Sequence, residues 1–234
     1  MSDVSEWWST SIIEMEPGSI SLRGMPIENL IGNKSFVEMI WLMTTGDQIN
    51  EKKSALLEAA LVAAVDHGPQ APSIAAARMS ATCGVDINNS LATGINVLGD
   101  IHGGAGQQAL ELYVEIKKEG IENIDNVLKK HKDMNGGFIP GFGHRFHKPT
   151  DPRAPRLIEL VNAAADQGEV SGAFSKIACE IEERLSNKKP VPMNIDGATA
   201  VIYAELGCPP PLARGLFCIS RSVGILAHTW EQMQ

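Results

Sequence analysis

Apolar side chains recur every three or four positions along most of this chain, which is the spacing of the buried face of an α-helix. This pattern predicts helical segments at residues 27–31, 36–45, 51–67, 73–82, 88–98, 107–118, 121–131, 156–165, 173–186, 199–206 and 212–234. Residues 19–24 alternate between polar and apolar side chains and predict one short strand or extended arm. The pattern therefore indicates a predominantly α-helical protein with little strand.

The composition is that of an ordinary soluble globular protein, with 44% hydrophobic and 21% charged residues among 234. A chain of this size can build one substantial core, or a large and a small domain that share a cleft. Its formal net charge of -8 argues against nucleic-acid binding, which needs a basic surface. No apolar run reaches about 18 residues, so we expect no membrane span.

The cysteines contain no CxxC pair, and no histidine-rich metal spacing accompanies them. They are Cys83, Cys179, Cys208 and Cys218. Because such thiols are typical of a reducing compartment and the N-terminus lacks a secretory signal, we expect a cytoplasmic protein without a metal site.

Five features break the helical pattern with side chains suited to acid–base chemistry or anion binding. Four are reactive residues beside glycine, at positions 66–68, 102–104, 143–145 and 196–197. The fifth is Arg221, a cation within an apolar helical stripe, which should face a carboxylate or a ligand because a buried unpaired charge is costly. We expect all five to share one pocket.

The chain resembles the citrate synthase family in four motifs, which are GDIHGGAG (99–106), GFGHRFHKPTDPR (141–153), NIDG (194–197) and SRSVGILAHTWEQ (220–232). The resemblance runs from about residue 21 to the C-terminus. DHGP (66–69) and NIDG are similar to the lyase branch of the family, meaning citryl-CoA lyase and the C-terminal domain of ATP-citrate lyase. His102 is similar to citrate synthase instead. A stand-alone citryl-CoA lyase is the nearest description.

The resemblance implies an all-α, citrate synthase-like fold, in which a small helical domain is inserted into a large one. Residues 1–102 and 208–234 would form the large domain and residues 103–207 the small one, with a cleft between them. Closure of the cleft would complete the catalytic set. The alanine-rich helices within residues 51–65 and 73–98 would face a two-fold mate, so a homodimer, or a higher oligomer built from dimers, is also implied.

For a citryl-CoA lyase the resemblance implies retro-aldol cleavage of citryl-CoA to acetyl-CoA and oxaloacetate. His144 would bind the hydroxyl that becomes the oxaloacetate carbonyl. His102 would hydrogen-bond the thioester oxygen as it gains charge, and Asp196 would pass a proton to the carbon. Two structural alternatives stay open, namely that His102 caps a helix and that Asp196 belongs to an Asx turn.

The resemblance assigns the other charged residues to binding. Arg153 and Arg221 would bind substrate carboxylates together with His67, and Arg145 and Lys148 would meet the phosphates of coenzyme A. Coenzyme A would enter as part of the substrate, with no permanently bound cofactor. The alternatives are a structural ion pair for Arg221, a helix-end histidine for His67, and solvent-exposed charges for Arg145 and Lys148.

Two other functions stay open. A small citrate or 2-methylcitrate synthase would use the same residues to condense an acyl-CoA with oxaloacetate. A non-catalytic subunit would bind coenzyme A, or scaffold a citrate-cleaving complex, without thioester chemistry.

Overall fold

A computed structural model describes residues 4–144, 147, 149–187 and 189–234. The chain divides into two compact units, Met1–Ala55 and Leu56–Gln234. All of the candidate site residues that the structure describes belong to the second unit. Among the described residues, no helix combines the length and the apolar composition that a bilayer crossing requires.

The first unit carries an antiparallel sheet in the order β1 (Ile13–Glu16), β2 (Ser19–Leu22) and β3 (Met25–Pro26). β2 confirms the strand predicted at residues 19–24. The sequence pattern does not predict β1 and β3, because both strands are short and largely exposed and neither has a buried face.

The described helices of this unit are α1 (Val4–Trp7), α2 (Ile27–Leu30) and α3 (Phe36–Thr45). A capping box starts α3: the Ser35 hydroxyl accepts the Glu38 N–H, and the Glu38 carboxylate accepts the Ser35 N–H. Gly46 ends the helix at φ 84°, a left-handed conformation that glycine adopts without strain. This is the helix end that the sequence predicts.

The second unit is built from helices, and α4 enters it from the first. They are α4 (Glu51–Ala64), α5 (Pro72–Thr82), α6 (Ile87–Asn96), α7 (Ala105–Glu119), the 3₁₀ turn Ile121–Asn123, α8 (Ile124–Met134), α9 (Arg153–Asp166), α10 (Ala173–Ser186), α11 (Ile195–Glu205) and α12 (Pro210–Met233). The predicted all-α class is confirmed, with the small sheet of the first unit as a minor addition.

At three candidate site residues the predicted helix boundary is wrong. α4 ends at Ala64 rather than at 67, α9 begins at Arg153 rather than at 156, and α11 begins at Ile195 rather than at 199. Pro155 fits the first turn of α9, where a missing N–H costs nothing. Gly197 is a poor helix former, but its turn is held by contacts from elsewhere in the chain.

Helices α5, α6 and α12 pack around a cluster that includes Ile74, Ala77 and Ile225. Each large aliphatic side chain buried there contributes roughly 1.5–3 kcal/mol. Gly94 of α6 permits the close packing, because a Cβ there would lie 2.6 Å from Ile225 Cγ2 and 2.9 Å from the Ser73 carbonyl oxygen. The first turn of α5 is therefore fixed near α12.

A second group of helices surrounds α11, which packs against α7, α9 and α10. Ile195 and nearly all of the helix that follows it are buried. The buried Tyr113 hydroxyl on α7 donates to the Gly197 carbonyl oxygen at 3.2 Å. These contacts fix the N-terminal turn of α11, which carries Asp196. Helix α12 also contacts α7 and so connects the two groups.

Candidate active site

Asp196 lies in the first turn of α11. Asn194 is the N-cap of this helix, and its side-chain oxygen accepts the backbone N–H groups of Asp196 at 3.0 Å and Gly197 at 3.2 Å. A cap of this kind stabilises a helix by about 1 kcal/mol. The Asx interaction is therefore made by the side chain of Asn194, and the Asp196 carboxylate takes no part in it. A Cβ added at Gly106, in the first turn of α7, would lie 3.9 Å from Asp196 Oδ1.

The loop that carries His144 is bound to the start of α11. Asn194 donates its backbone N–H to the Gly141 carbonyl at 3.0 Å and its side-chain amide to the Gly143 carbonyl at 2.7 Å. Gly141 has φ 85°, and a Cβ there would lie 2.8 Å from Gly197 Cα. Only glycine fits this conformation at this distance. The glycines of GFGH thus let His144 and Asp196 occupy neighbouring positions.

The orientation of the His144 ring is set by His147, whose backbone N–H donates to His144 Nδ1 at 3.0 Å. A neutral ring that accepts at Nδ1 carries its proton on Nε2. The rings of His144 and His147 lie 4.5 Å apart, and those of His144 and His67 lie 5.6 Å apart in an edge-to-face arrangement. The structure therefore brings two of the predicted histidines together, and His147 adds a third that the sequence analysis did not include.

His102 lies in a tight loop, which is closed by a hydrogen bond from the Gly99 N–H to the His102 carbonyl oxygen at 2.8 Å. Its Nε2 accepts the Ser73 backbone N–H at 3.1 Å and lies 3.0 Å from Ser73 Oγ. Ser73 belongs to the first turn of α5, where N–H groups have no partner within the helix. His102 thus does cap a helix, as the alternative proposed, and the neutral ring carries its proton on Nδ1.

Arg221 is buried within α12, with 4% of its surface exposed. Its Nε donates to the Ala64 carbonyl oxygen at 3.0 Å, and its guanidinium carbon lies 4.8 Å from the centre of the Phe217 ring. None of the ion pairs in the described part of the chain includes Arg221. The carboxylates of Asp196 and Asp66 act on its charge from beyond ion-pair distance, and a buried cation of this kind is suited to an anionic ligand.

Arg153 forms a two-point ion pair with Asp151, which is fully buried. Arg153 Nε and Nη2 donate to the two Asp151 oxygens at 3.0 and 2.9 Å. Asp151 Oδ2 also accepts the Ile195 backbone N–H at 3.1 Å. The carboxylate therefore joins the start of α9 to the start of α11. The pair uses two of the five guanidinium N–H groups of Arg153.

The predicted site residues form one electrostatic cluster. Burial lowers the pKa of His67, His102 and His144, and the positive charge of Arg221 lowers it further at His67 and His102. Burial raises the pKa of Asp196, while Arg221 and Arg153 partly oppose that rise. The histidines are thereby held neutral at neutral pH, and the acid retains its proton to a higher pH than an exposed aspartate does.

Four residues of the site were not identified from the sequence as functional: Ser73, His147, Asp151 and Asn194. Asp151 and Asn194 stand within the motifs DPR and NIDG, and that position is a signal for them. Ser73 has no such signal, because it lies 29 residues from His102 and reaches it only through the fold. Arg145 and Lys148, the residues predicted to bind coenzyme A, lie outside the described residues.

A cavity of about 1030 Å³ lies beside His144. Its lining includes the rings of Phe138 and His147, residues 190–192, and the ammonium-bearing side chains Lys132 and Lys189. An apolar cavity of this size with a few cations is suited to a large anionic ligand. It opens next to the histidine cluster.

The chain is similar to a known protein family and to several solved structures. Residues 43–234 match the family described as "Citrate synthase, C-terminal domain". The solved structure of citryl-CoA lyase from Hydrogenobacter thermophilus is 33% identical, with a TM-score of 0.86 over 97% of this chain and 87% of that one. The citrate synthase of Thermoplasma acidophilum, solved in a ternary complex with carboxymethyl coenzyme A and oxaloacetate, is 25% identical, with a TM-score of 0.71 over 85% and 53%.

Among curated proteins, the citrate synthase of Haloferax volcanii is 29% identical over 213 residues, which are 89% of this chain and 53% of that protein. The chain therefore spans about half the length of that curated relative. The family match nevertheless covers most of the chain, and the predicted citrate synthase-like fold is confirmed. The chain belongs to the citrate synthase family.

Proposed function

We propose that the chain is a citryl-CoA lyase, which cleaves citryl-CoA to acetyl-CoA and oxaloacetate. The observation that carries the proposal is the joint position of Asp196, with its raised pKa, the two neutral histidines His102 and His144, and the buried Arg221. The lyase from Hydrogenobacter thermophilus supports this direction, because the match covers most of both chains. The match to the Haloferax volcanii citrate synthase covers only about half of that protein.

In this reaction the carbon–carbon bond next to a tertiary hydroxyl breaks. The hydroxyl becomes the oxaloacetate carbonyl as it gives its proton to solvent water on the side of His144. The Nε2–H tautomer that His147 favours is the one that donates a hydrogen bond to that carbonyl. The acetyl-CoA part leaves as an enolate, whose oxygen receives a hydrogen bond from His102 Nδ1–H.

Asp196 completes the step by giving its proton to the enolate carbon. A carboxyl group with a raised pKa keeps that proton to a higher pH than an exposed aspartate does. Asp196 then takes a proton back from solvent water, which has received the hydroxyl proton, so the transfers balance over a turnover.

The carboxylates of the citryl part would be bound by Arg153, Arg221 and His67. Coenzyme A would occupy the cavity beside His144, where Lys132 and Lys189 can approach its phosphates. The assignment of Arg145 and Lys148 to the same phosphates remains part of the proposal. The four cysteines are unpaired, which supports the proposed cytoplasmic location.

A condensing enzyme is the second candidate, because a curated relative is a citrate synthase and His102 is similar to that branch. The same residues would then act in reverse, with Asp196 removing a proton from the acyl-CoA. The relative rates of the two directions distinguish these functions.

The test is to incubate the chain with citryl-CoA, following oxaloacetate by a coupled reduction, and separately with acetyl-CoA and oxaloacetate, following free thiol. We expect rapid formation of oxaloacetate in the first mixture and slow release of coenzyme A in the second. Release of citrate and coenzyme A at a comparable rate would favour a synthase. Binding of coenzyme A with neither reaction would favour the non-catalytic subunit.

We also propose that residues 103–207 form the small, moving domain and that the remaining residues form the large one. The packing of α7, α9 and α10 around α11, separate from that of α5 and α6 with α12, supports this division.

A homodimer is proposed on the exposed apolar residues of the second unit. On α12 these are Ile219, Val223, Leu226, Trp230 and Met233, which are spaced by four, three, four and three positions. This spacing presents one continuous helix face, which an identical face of a second copy can cover. We expect sedimentation to give about twice 25.2 kDa and Leu226→Glu to shift the chain to the monomer. A monomeric wild-type chain would contradict the proposal.

A further inference from the structure

Helix α12 holds the C-terminal end of α4 from outside. The last carbonyl groups of a helix have no partner within it. Here three hydrogen bonds come from one stretch of α12: the Ser220 hydroxyl donates to the Leu61 carbonyl, Arg221 Nε to the Ala64 carbonyl, and Gly224 N–H to the Val65 carbonyl.

Gly224 is the point of closest approach between the two segments. A Cβ there would collide with the Val65 carbonyl oxygen and would lie 2.8 Å from Asp66 Oδ1. The backbone of residues 65–66 therefore rests directly on the backbone of α12. One turn further along the helix, His228 faces the same segment.

His228 and Asp66 form the last contact of this series. His228 Nε2 lies 3.2 Å from Asp66 Oδ1, and the other Asp66 oxygen accepts the Gly68 N–H at 2.9 Å. Asp66 thus connects α12 to the turn on both sides of His67. Gly68 adopts φ 80°, which is the conformation that turns the chain away after His67.

We infer that His228 is a positioning residue, which holds the His67 ring in the candidate active site through Asp66. The inference rests on the proposed function, in which His67 binds a carboxylate of the citryl group. His228 itself does not touch that group. Because Arg221 lies on the same helix and binds the same end of α4, α12 sets two of the proposed substrate-binding side chains at once.

The geometry specifies which substitutions preserve the contact. Glutamine places its amide nitrogen near the position of His228 Nε2 and can still donate to Asp66. Asparagine places its amide near Nδ1, which lies on the side of Glu231 at 3.9 Å. Leucine has no donor. His131→Gln is the matched control. His131, on α8, is also a largely buried histidine, and it pairs with the Glu115 carboxylate at 3.0 Å.

The first measurement is the NMR spectrum of the histidine rings in the full chain without substrate, with the His67 signals identified by their loss in His67→Gln. We expect His228→Leu and His228→Asn to shift the His67 signals, and His228→Gln and His131→Gln to leave them in place. This result needs no catalytic activity, so it decides the inference even if citryl-CoA is not the substrate.

The second measurement is steady-state kinetics with citryl-CoA. We expect His228→Leu to raise KM about tenfold with kcat within about threefold, because a displaced His67 ring loses its hydrogen bond to the substrate carboxylate, and such a loss weakens binding by about that factor. His228→Gln should restore most of the affinity. Unchanged His67 signals in both His228→Leu and His228→Asn would overturn the inference. If the leucine variant does not fold, the asparagine and glutamine variants decide.

Discussion

Replacement of Asp196 with asparagine is expected to lower kcat for citryl-CoA cleavage by about 10²–10⁴-fold, the range for loss of a positioned general acid. Asparagine has nearly the same shape, and the hydrogen bond that anchors position 196 to Asn194 is made by the backbone. The variant should therefore fold and bind substrate with a KM close to that of the wild-type chain. What it lacks is a proton to give to the enolate carbon.

The measurement is kcat and KM with citryl-CoA, alongside thermal unfolding of each variant. Asp166→Asn is the control, since Asp166 is an exposed acid at the end of α9, away from the histidine cluster. We expect the control to keep full activity. A kcat for Asp196→Asn within a factor of three of the wild-type value would remove Asp196 from the mechanism, and a loss of folding would leave Asp196→Glu to distinguish geometry from acidity.

The helices of this chain are predictable because their signal is local. A buried helix face repeats every three or four residues, so α5, α7 and α12 follow from the sequence with errors of two residues or fewer. The start of α11 does not follow. Gly197 weakens the helix locally, and the turn forms because Asn194 caps it and Tyr113 of α7 binds the Gly197 carbonyl.

The candidate site shows the same division between local and non-local information. Glycine beside histidine identified the loops of His102 and His144, because these short segments carry their own signal. The groups that orient these rings are contributed by other segments or by backbone atoms. Ser73 meets His102 across 29 residues, and His147 acts through its backbone N–H, which no side-chain pattern reports. Sequence therefore predicts which residues act and leaves their orientation to the fold.

The sequence predicts that Arg221 is buried and needs an anionic partner, and the structure shows that it is buried. Burial lowers the pKa of the guanidinium, and the charges of Asp196 and Asp66 partly oppose that shift. Within contact distance, the described part of the chain offers Arg221 one carbonyl oxygen and an aromatic face in place of an ion pair. Its charge is thus only partly compensated without ligand. A carboxylate of the substrate would supply the missing partner.

Replacement of Arg221 with methionine should accordingly separate binding from stability. We expect the affinity for oxaloacetate to fall by about 10²–10³-fold, since truncation of one partner of a buried charge pair costs about 2–5 kcal/mol. The free energy of unfolding without ligand should stay within about 2 kcal/mol of the wild-type value. Removal of the partly compensated buried charge stabilises the folded state. Loss of the hydrogen bond to the Ala64 carbonyl oxygen destabilises it, so the two effects oppose each other.

The measurement is thermal unfolding with and without oxaloacetate, because a ligand that binds only the folded state raises the transition temperature. We expect oxaloacetate to stabilise the wild-type chain and the control Arg156→Met, in which the lost cation is exposed and pairs with Glu159. Arg221→Met should show no stabilisation at the same concentration. Equal stabilisation of both variants would mean that the buried cation serves the packing of α12 on α4, and that the substrate carboxylates are held elsewhere.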